Sequence, residues 1–217
     1  MSEGSIATIR RLPVYLVLDC SGSMAGEPIA AMEMGLKALL EDLRNDPQAL
    51  ETVWLSVITF ASAAEQVVPL TDINEFHYPE LQAEGSTALG EALDLLASRI
   101  RSEVRTNKPN AKGDWKPLVF LLTDGEPTDN WEQSAEEFRL RGLATIIACG
   151  AGPGVNDDTL RRLGDKAVRL QDTKPGTLGA FMKWVSASVA NTNQGLGTQG
   201  SANRLEQPPD DGAIRVL

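Results

Sequence analysis

Three short polar stretches of this chain carry residue types that could do chemistry. They are Asp19-Cys20-Ser21-Gly22-Ser23, Gly85-Ser86-Thr87 and Thr123-Asp124-Gly125-Glu126. Each offers carboxylate or hydroxyl oxygens, and none offers a histidine or an activated thiolate. Oxygen donors suit hard divalent cations. Carboxylate, hydroxyl and water ligands in octahedral array favour Mg2+, with Mn2+ or Ca2+ as substitutes. Taken singly, Ser21, Ser23 and Thr87 read as caps and turn formers. Their occurrence together with Asp19 and Asp124 is what favours a metal.

Such loops need a frame that gathers residues far apart in the sequence. Val14 to Leu18 is continuously apolar, as in a strand covered on both faces. Ile29, Met32, Leu36, Leu39, Leu40 and Leu43 fall on one stripe of a helix. Val53 to Phe60 reads as the next strand, with Glu65 to Leu70 as its hairpin partner. Leu89, Leu93, Leu96, Ile100 and Val104 define a second amphipathic helix, which exits through the polar loop 107–115. Leu118 to Leu122 is the most hydrophobic strand and is expected beside the first. Asp129, with Glu132 three residues on, predicts the amino-terminal cap of a helix over residues 130–141. Ala144 to Ala148 and Ala167 to Leu170 follow as strands, and a closing helix carries Leu178, Phe181, Met182, Val185 and Val189.

Alternating strands and helices imply an α/β, doubly wound domain. Its sheet is mostly parallel, with helices on both faces and one antiparallel edge strand. Ligands of such sheets sit beyond the carboxyl ends of the strands, where the three loops fall. The domain is assigned to residues 1–190 and a linker-like tail to residues 191–217. Ala213 to Leu217 is apolar enough to add as an edge strand here or on a partner, so disorder and strand both stay open.

The three loops resemble the metal-ion-dependent adhesion site (MIDAS) of the von Willebrand factor A (VWA) family. That pattern is Asp-x-Ser-x-Ser, a distant Thr and a distant Asp, filled here by Asp19, Ser21, Ser23, Thr87 and Asp124. The resemblance covers about residues 10–190 and implies a Rossmann-like VWA fold. It also implies that the two aspartates often act through water, leaving a ligand position for a partner's Glu or Asp. Within the family the chain looks most like the short TerY proteins linked with tellurite resistance. The matching segments are Arg10-Arg-Leu-Pro-Val-Tyr15, Asp19 to Met24, Leu122 to Asp129 and Ile146 to Gly152. That likeness implies a bacterial stress-response setting with kinase- or phosphatase-like protein partners.

Other function classes fare worse. Acidic residues outnumber basic ones by 30 to 20, a net charge of −10 that repels phosphate backbones, so no nucleic-acid partner is expected. No apolar run reaches the roughly 18 to 20 residues that span a bilayer. The run after Arg10-Arg11 is short for a signal core and contains Pro13. No membrane association and a cytoplasmic location are therefore expected. Cys20 and Cys149 read as small buried fillers in a reducing compartment. Trp54 and Trp184 read as packing residues, while Trp115 and Trp131, beside loops, are open to a contact role.

No Gly-x-Gly-x-x-Gly follows the first strand, no Walker lysine is present, and the loop after Cys20 lacks the arginine a cysteine phosphatase requires, with no basic residue before Lys37. The nearest enzyme alternative is Mg2+-dependent phosphotransfer with Asp19 as nucleophile, but that loop lacks a second acid and a nearby lysine. The expectation is a binding protein without catalytic residues. A scaffold with purely structural metal loops is the remaining alternative.

Overall fold

The apolar runs form the interior of a seven-stranded sheet in the computed structural model, which describes residues 9–195, 206–208 and 212–217. β1 (Leu12–Asp19), β2 (Val53–Phe60), β4 (Leu118–Thr123), β5 (Thr145–Ala151) and β6 (Lys166–Leu170) lie parallel. The expected antiparallel edge is β3 (Ala64–Asp72), and β7 (Ile214–Val216) supplies a second on the opposite side. The order is β3-β2-β1-β4-β5-β6-β7, so β4 neighbours β1 as anticipated.

Every residue of β1 and β4 is buried. Alternate side chains serve two cores, as the period of two in a strand requires. Leu12, Val14, Leu16 and Leu18 join the layer of α1 (Glu27–Arg44), α2 (Pro47–Thr52) and α6 (Pro175–Gly195). Tyr15 and Val17 face α3 (Leu89–Glu103), α4 (Trp131–Arg141) and α5 (Asp157–Leu163). Trp184 packs in the first core with Phe120 and Phe181. Trp131 is buried beneath the Arg162 guanidinium, and Trp115 lies under Arg10 at 3.5 Å. Both are thus covered by cations of the same chain.

Asp129 does not cap α4, as its position before that helix suggested. Its carboxylate accepts the Gly90 and Glu91 N–H groups at 3.0 and 3.1 Å, the orphan donors at the amino end of α3. Asn130 occupies the α4 cap position without a side-chain hydrogen bond. The short helices α2 and α5 had no periodic signature; Asp46 and Asn156 cap them through the N–H groups of Gln48, Ala49 and Asp158.

The closing helix runs on to Gly195, and part of the linker-like stretch, 196–205 and 209–211, lies outside the described residues. Glu206 returns to α6, where its carbonyl accepts the Trp184 indole N–H at 3.0 Å. Ile214, Arg215 and Val216 then pair with Leu170, Arg169 and Val168. Ile214 is 3% exposed and sits in the α1–α6 core. Ile214→Ala is expected to lower stability by about 2 kcal/mol, the low end for a buried isoleucine, since a terminal strand can readjust. The readout is the urea midpoint, and an unchanged midpoint would show that β7 does not secure this edge.

At the amino ends of the strands, the Asp114 side chain is 0% exposed. It binds Arg11 at 2.6 Å, Arg105 at 2.7 Å and the Arg105 N–H at 2.8 Å. Arg11 also lies over the Trp54 ring at 4.4 Å. This cluster ties the entry to β1, the end of α3 and the entry to β4 into one unit.

Candidate metal centre

From β1 the chain crosses to β2 on one side, while β4 flanks β1 on the other. This reversal opens a crevice at the carboxyl ends of β1 and β4, the usual ligand position in such sheets. Asp19 ends β1, Thr123 ends β4, and Asp124 follows. Thus the fold itself brings two carboxylates from distant sequence positions to one place.

The first loop is rigidly built. Asp19 is fully buried; its Oδ1 accepts the Ser21 N–H at 2.8 Å and its Oδ2 the Thr123 hydroxyl at 2.5 Å. The Ser21 and Ser23 hydroxyl oxygens lie 3.1 Å apart, and the Ser23 hydroxyl donates to Asp124 Oδ1 at 2.6 Å. Asp19, Ser21, Ser23 and Asp124 therefore form one connected group. The Gly22 N–H donates to Gly85 O at 3.0 Å, and the Glu84 N–H to Cys20 O at 2.9 Å, docking the second loop on the first. Gly85 adopts φ +76°, and a Cβ there would stand 2.2 Å from Ser62 Oγ, so only glycine fits.

Thr87 joins from the second loop. Its N–H donates to Thr128 Oγ1 at 3.2 Å, and its carbonyl accepts the Thr128 N–H at 2.9 Å. Its hydroxyl faces the third loop, 3.7 Å from where a Cβ on Gly125 would lie, and has no hydrogen-bond partner among the described residues. Glu126 accepts the Asn156 N–H at 2.6 Å and holds the third loop against the start of α5. A Cβ on Gly154 would come within 2.3 Å of Asp124 O, so the chain passes there only as glycine. Thr123, Thr128 and Glu126 thus support the site, though sequence reasoning missed their roles. The one available signal was the position of Thr123 and Glu126 beside Asp124.

Burial raises the Asp124 carboxyl above the ordinary carboxylate value; the Ser23 hydrogen bond opposes this and the Asp19 charge adds to it. No lysine or arginine pairs with Asp19 or Asp124 among the described residues. Two neighbouring carboxylates without a side-chain cation form a natural place for a metal cation. No three His, Cys, Asp or Glu side chains converge to hold a metal among the described residues, so hydroxyls must complete any ligand set. The all-oxygen donors fit. Adjacent ligands of an octahedral ion with bonds of about 2.1 Å stand about 3.0 Å apart, and the Ser21 and Ser23 hydroxyl oxygens are 3.1 Å apart.

Cys20 is buried beside the site, and burial with the Asp19 charge pushes its thiol up to about 12. Cys149 is fully buried and its thiol donates to Ile147 O at 3.7 Å. Neither thiol is expected to react with a thiol reagent at pH 8 until the chain unfolds. Rapid labelling of the native protein, followed by mass spectrometry, would contradict the packing of both side chains.

The model of the von Willebrand factor type A domain matches residues 14–179. The chain belongs to the von Willebrand factor type A family. An uncharacterized protein of Synechocystis is 35% identical over 173 residues, which cover 73% of this chain and 37% of that protein. The bovine inter-alpha-trypsin inhibitor heavy chain H4 is 30% identical over 132 residues, covering 57% of this chain and 13% of its own length. This VWA domain therefore spans well under half of either relative.

Solved structures agree on the fold. A von Willebrand factor type A protein from Catenulispora acidiphila superposes with TM-score 0.62 at 20% identity, covering 83% of this chain and 43% of that one. Proximal thread matrix protein 1 of the mussel byssus, solved with a zinc-occupied MIDAS motif, gives TM-score 0.62 at 18% identity over 83% of this chain and 48% of its own. Among the described residues of this VWA domain, no helix is long and apolar enough to cross a membrane.

Proposed function

We propose that this VWA domain is a metal-dependent protein-binding module. Asp19, Ser21, Ser23, Thr87 and Asp124 hold one divalent cation, Mg2+ first and Mn2+ or Ca2+ as substitutes, and a partner's Glu or Asp completes its shell. The supporting observation is the pairing of buried Asp19 with half-buried Asp124 through Ser21 and Ser23, with no basic side chain to balance it among the described residues. The mussel protein with zinc in its MIDAS motif adds support for a divalent ion. When bound, the ion supplies positive charge and an exchangeable ligand position. The chain's own part is to hold neutral hydroxyls and the two carboxylates in place, so that little negative charge contacts the ion directly. A carboxylate from another protein then gains a strong charge interaction in a partly desolvated contact.

The phosphotransfer alternative asks Asp19 to be a nucleophile. Both of its oxygens are occupied, by the Ser21 N–H and the Thr123 hydroxyl, which favours a holding role over attack. The non-enzymatic reading is accordingly part of the proposal. So is a cytoplasmic TerY-type setting in a bacterial stress response with kinase- or phosphatase-like partners, which rests on the motif likeness.

Capture of partners from native lysate should need the metal. Thr87→Ala is expected to weaken capture at least about tenfold while leaving the melting curve of the metal-free domain unchanged, because its hydroxyl makes no hydrogen bond among the described residues. Capture that persists in excess EDTA, with the protein verified metal-free, sinks the mechanism.

A further inference from the structure

β7 is the outermost strand of the sheet among the described residues, so one of its edges meets no further strand. Leu217 donates its N–H to Ala167 O at 2.9 Å, and Ala213 O accepts the Gln171 N–H at 3.1 Å. Antiparallel pairing alternates, so residues 213, 215 and 217 turn to β6 while Ile214 and Val216 present their N–H and C=O groups outward. The opposite edge of the sheet is blunted. There β3 carries Pro69, and its pairing with β2 is irregular between Leu55 and Ile58. β7 has neither device. Its exposed side chains differ in chemistry: Val216 is 52% exposed, and the Arg215 side chain 68%. Arg215 stands directly across from Arg169, a like-charge pair. The Asp157 carboxylate serves both, but Arg169 holds it through Nε at 2.8 Å, and Arg215 comes no nearer than 3.8 Å. Arg215 has no other acidic partner among the described residues. Both arginines also stand in the wall of a cavity of about 530 Å3, with Gly152, Asn156 and Gln171.

We propose that the outer edge of β7 docks an extended segment of a partner protein as an eighth strand, with an acidic side chain of that segment against Arg215. Backbone hydrogen bonds to Ile214 and Val216 give such an addition its affinity, and alternating side chains give it selectivity. The residue opposite Arg215 lies on that arginine's face of the sheet, beside the cavity. A Glu or Asp there supplies the counter-charge that Asp157, shared with Arg169, gives only in part. Its two neighbours fall on the face of Val216, where apolar side chains cover that residue. The preferred segment therefore reads apolar, acidic, apolar. A second copy of this chain fits worse. The two-fold register that uses both outward residues pairs Ile214 of one copy with Val216 of the next, and it sets one Arg215 against the other. The contact needs no metal, so it stands apart from the site at Asp19 and Asp124.

In the test, the full chain selects from a displayed random peptide library that has first been depleted on the Val216→Pro variant. That substitution removes an outward N–H and leaves the bonds to β6 intact, so the variant should keep the parent's urea midpoint. Depletion takes away binders of every other surface, the metal loops included. The peptides that remain should carry a Glu or Asp flanked by apolar residues. For one of them, read by fluorescence polarisation, Arg215→Gln should weaken binding about fivefold, and EDTA should leave it unchanged. Methylating alternate backbone nitrogens of that peptide should abolish binding for one set of positions and spare it for the other. This arm decides the matter even if Val216→Pro lowers the midpoint. An empty selection, or the same response to both methylated sets, overturns the added strand. Enrichment without acidic residues, or binding indifferent to Arg215→Gln, overturns the charge pairing. Parent dimers in sedimentation that dissociate on Val216→Pro would assign the edge to a second copy and overturn the partner segment.

Discussion

Saturating Mg2+ or Mn2+ is expected to raise the melting temperature of this domain by about 5–10 °C, and Asp19→Asn to abolish the rise. Binding only to the folded state adds RT ln(1 + [L]/Kd), about 2.7 kcal/mol at a hundredfold excess over Kd. For a chain of this size each kcal/mol moves the midpoint by about 2–4 °C. Asparagine is chosen because it removes charge and leaves no cavity at a residue with 0% exposure. Its amide oxygen can still accept the Ser21 N–H, and the Thr123 hydroxyl can turn to Gly125 O, already 3.2 Å away. The variant should therefore fold, and only its response to the cation should vanish. Scanning calorimetry with and without metal reads the result, and an equal shift in parent and variant would mean that the ion binds elsewhere.

The site's two carboxylates were legible because they end or follow the two most apolar strands, while Thr87 lies in a loop before α3. A buried run such as Val14 to Leu18 announces β1 by composition, and a polar cluster at its end must lie at the sheet's carboxyl edge. The expected pairing of β1 with β4 joins Asp19 to Asp124. What remained hidden depends on contacts between segments with no local trace. Asp129 has the spacing of a cap for α4, yet the open amino end of α3 stands beside it and takes the carboxylate. Thr123 is one more strand residue by sequence, and only the neighbouring β1 gives its hydroxyl the role of orienting Asp19. In the terminal segment the disordered-tail reading stood slightly ahead of an edge strand, because three residues carry too little pattern. Its pairing with β6 decides the matter for Ile214–Val216.

Asp114 shows the same gap between sequence and tertiary partner, and its loss should have the largest effect on stability. In sequence it is one polar residue of a loop; in the fold its side chain is wholly enclosed by Arg11, 14% exposed, and Arg105, 42% exposed. Removing one member of a buried ion pair strands the other charge, which costs about 3–5 kcal/mol. Asp114→Asn should therefore approach that loss at pH 7, whereas Arg105→Gln, at the exposed partner, should lose about 1 kcal/mol or less.

The pH dependence has a definite sign. Burial alone would raise the Asp114 carboxyl, but hydrogen bonds from Arg11 and Arg105 outweigh it and hold the group below the usual carboxylate range. A depressed folded value contributes stability that is fully present above the unfolded value, near 3.9, and disappears as pH falls through the folded value. Parent and Asp114→Asn should then differ most above about pH 5 and converge under strongly acid conditions. Urea titrations at pH 7 and at about pH 3 measure both gaps. A gap that stays constant would assign the loss to packing, and no gap at pH 7 would show that the Arg11–Asp114–Arg105 cluster does not hold the β1 and β4 entries together.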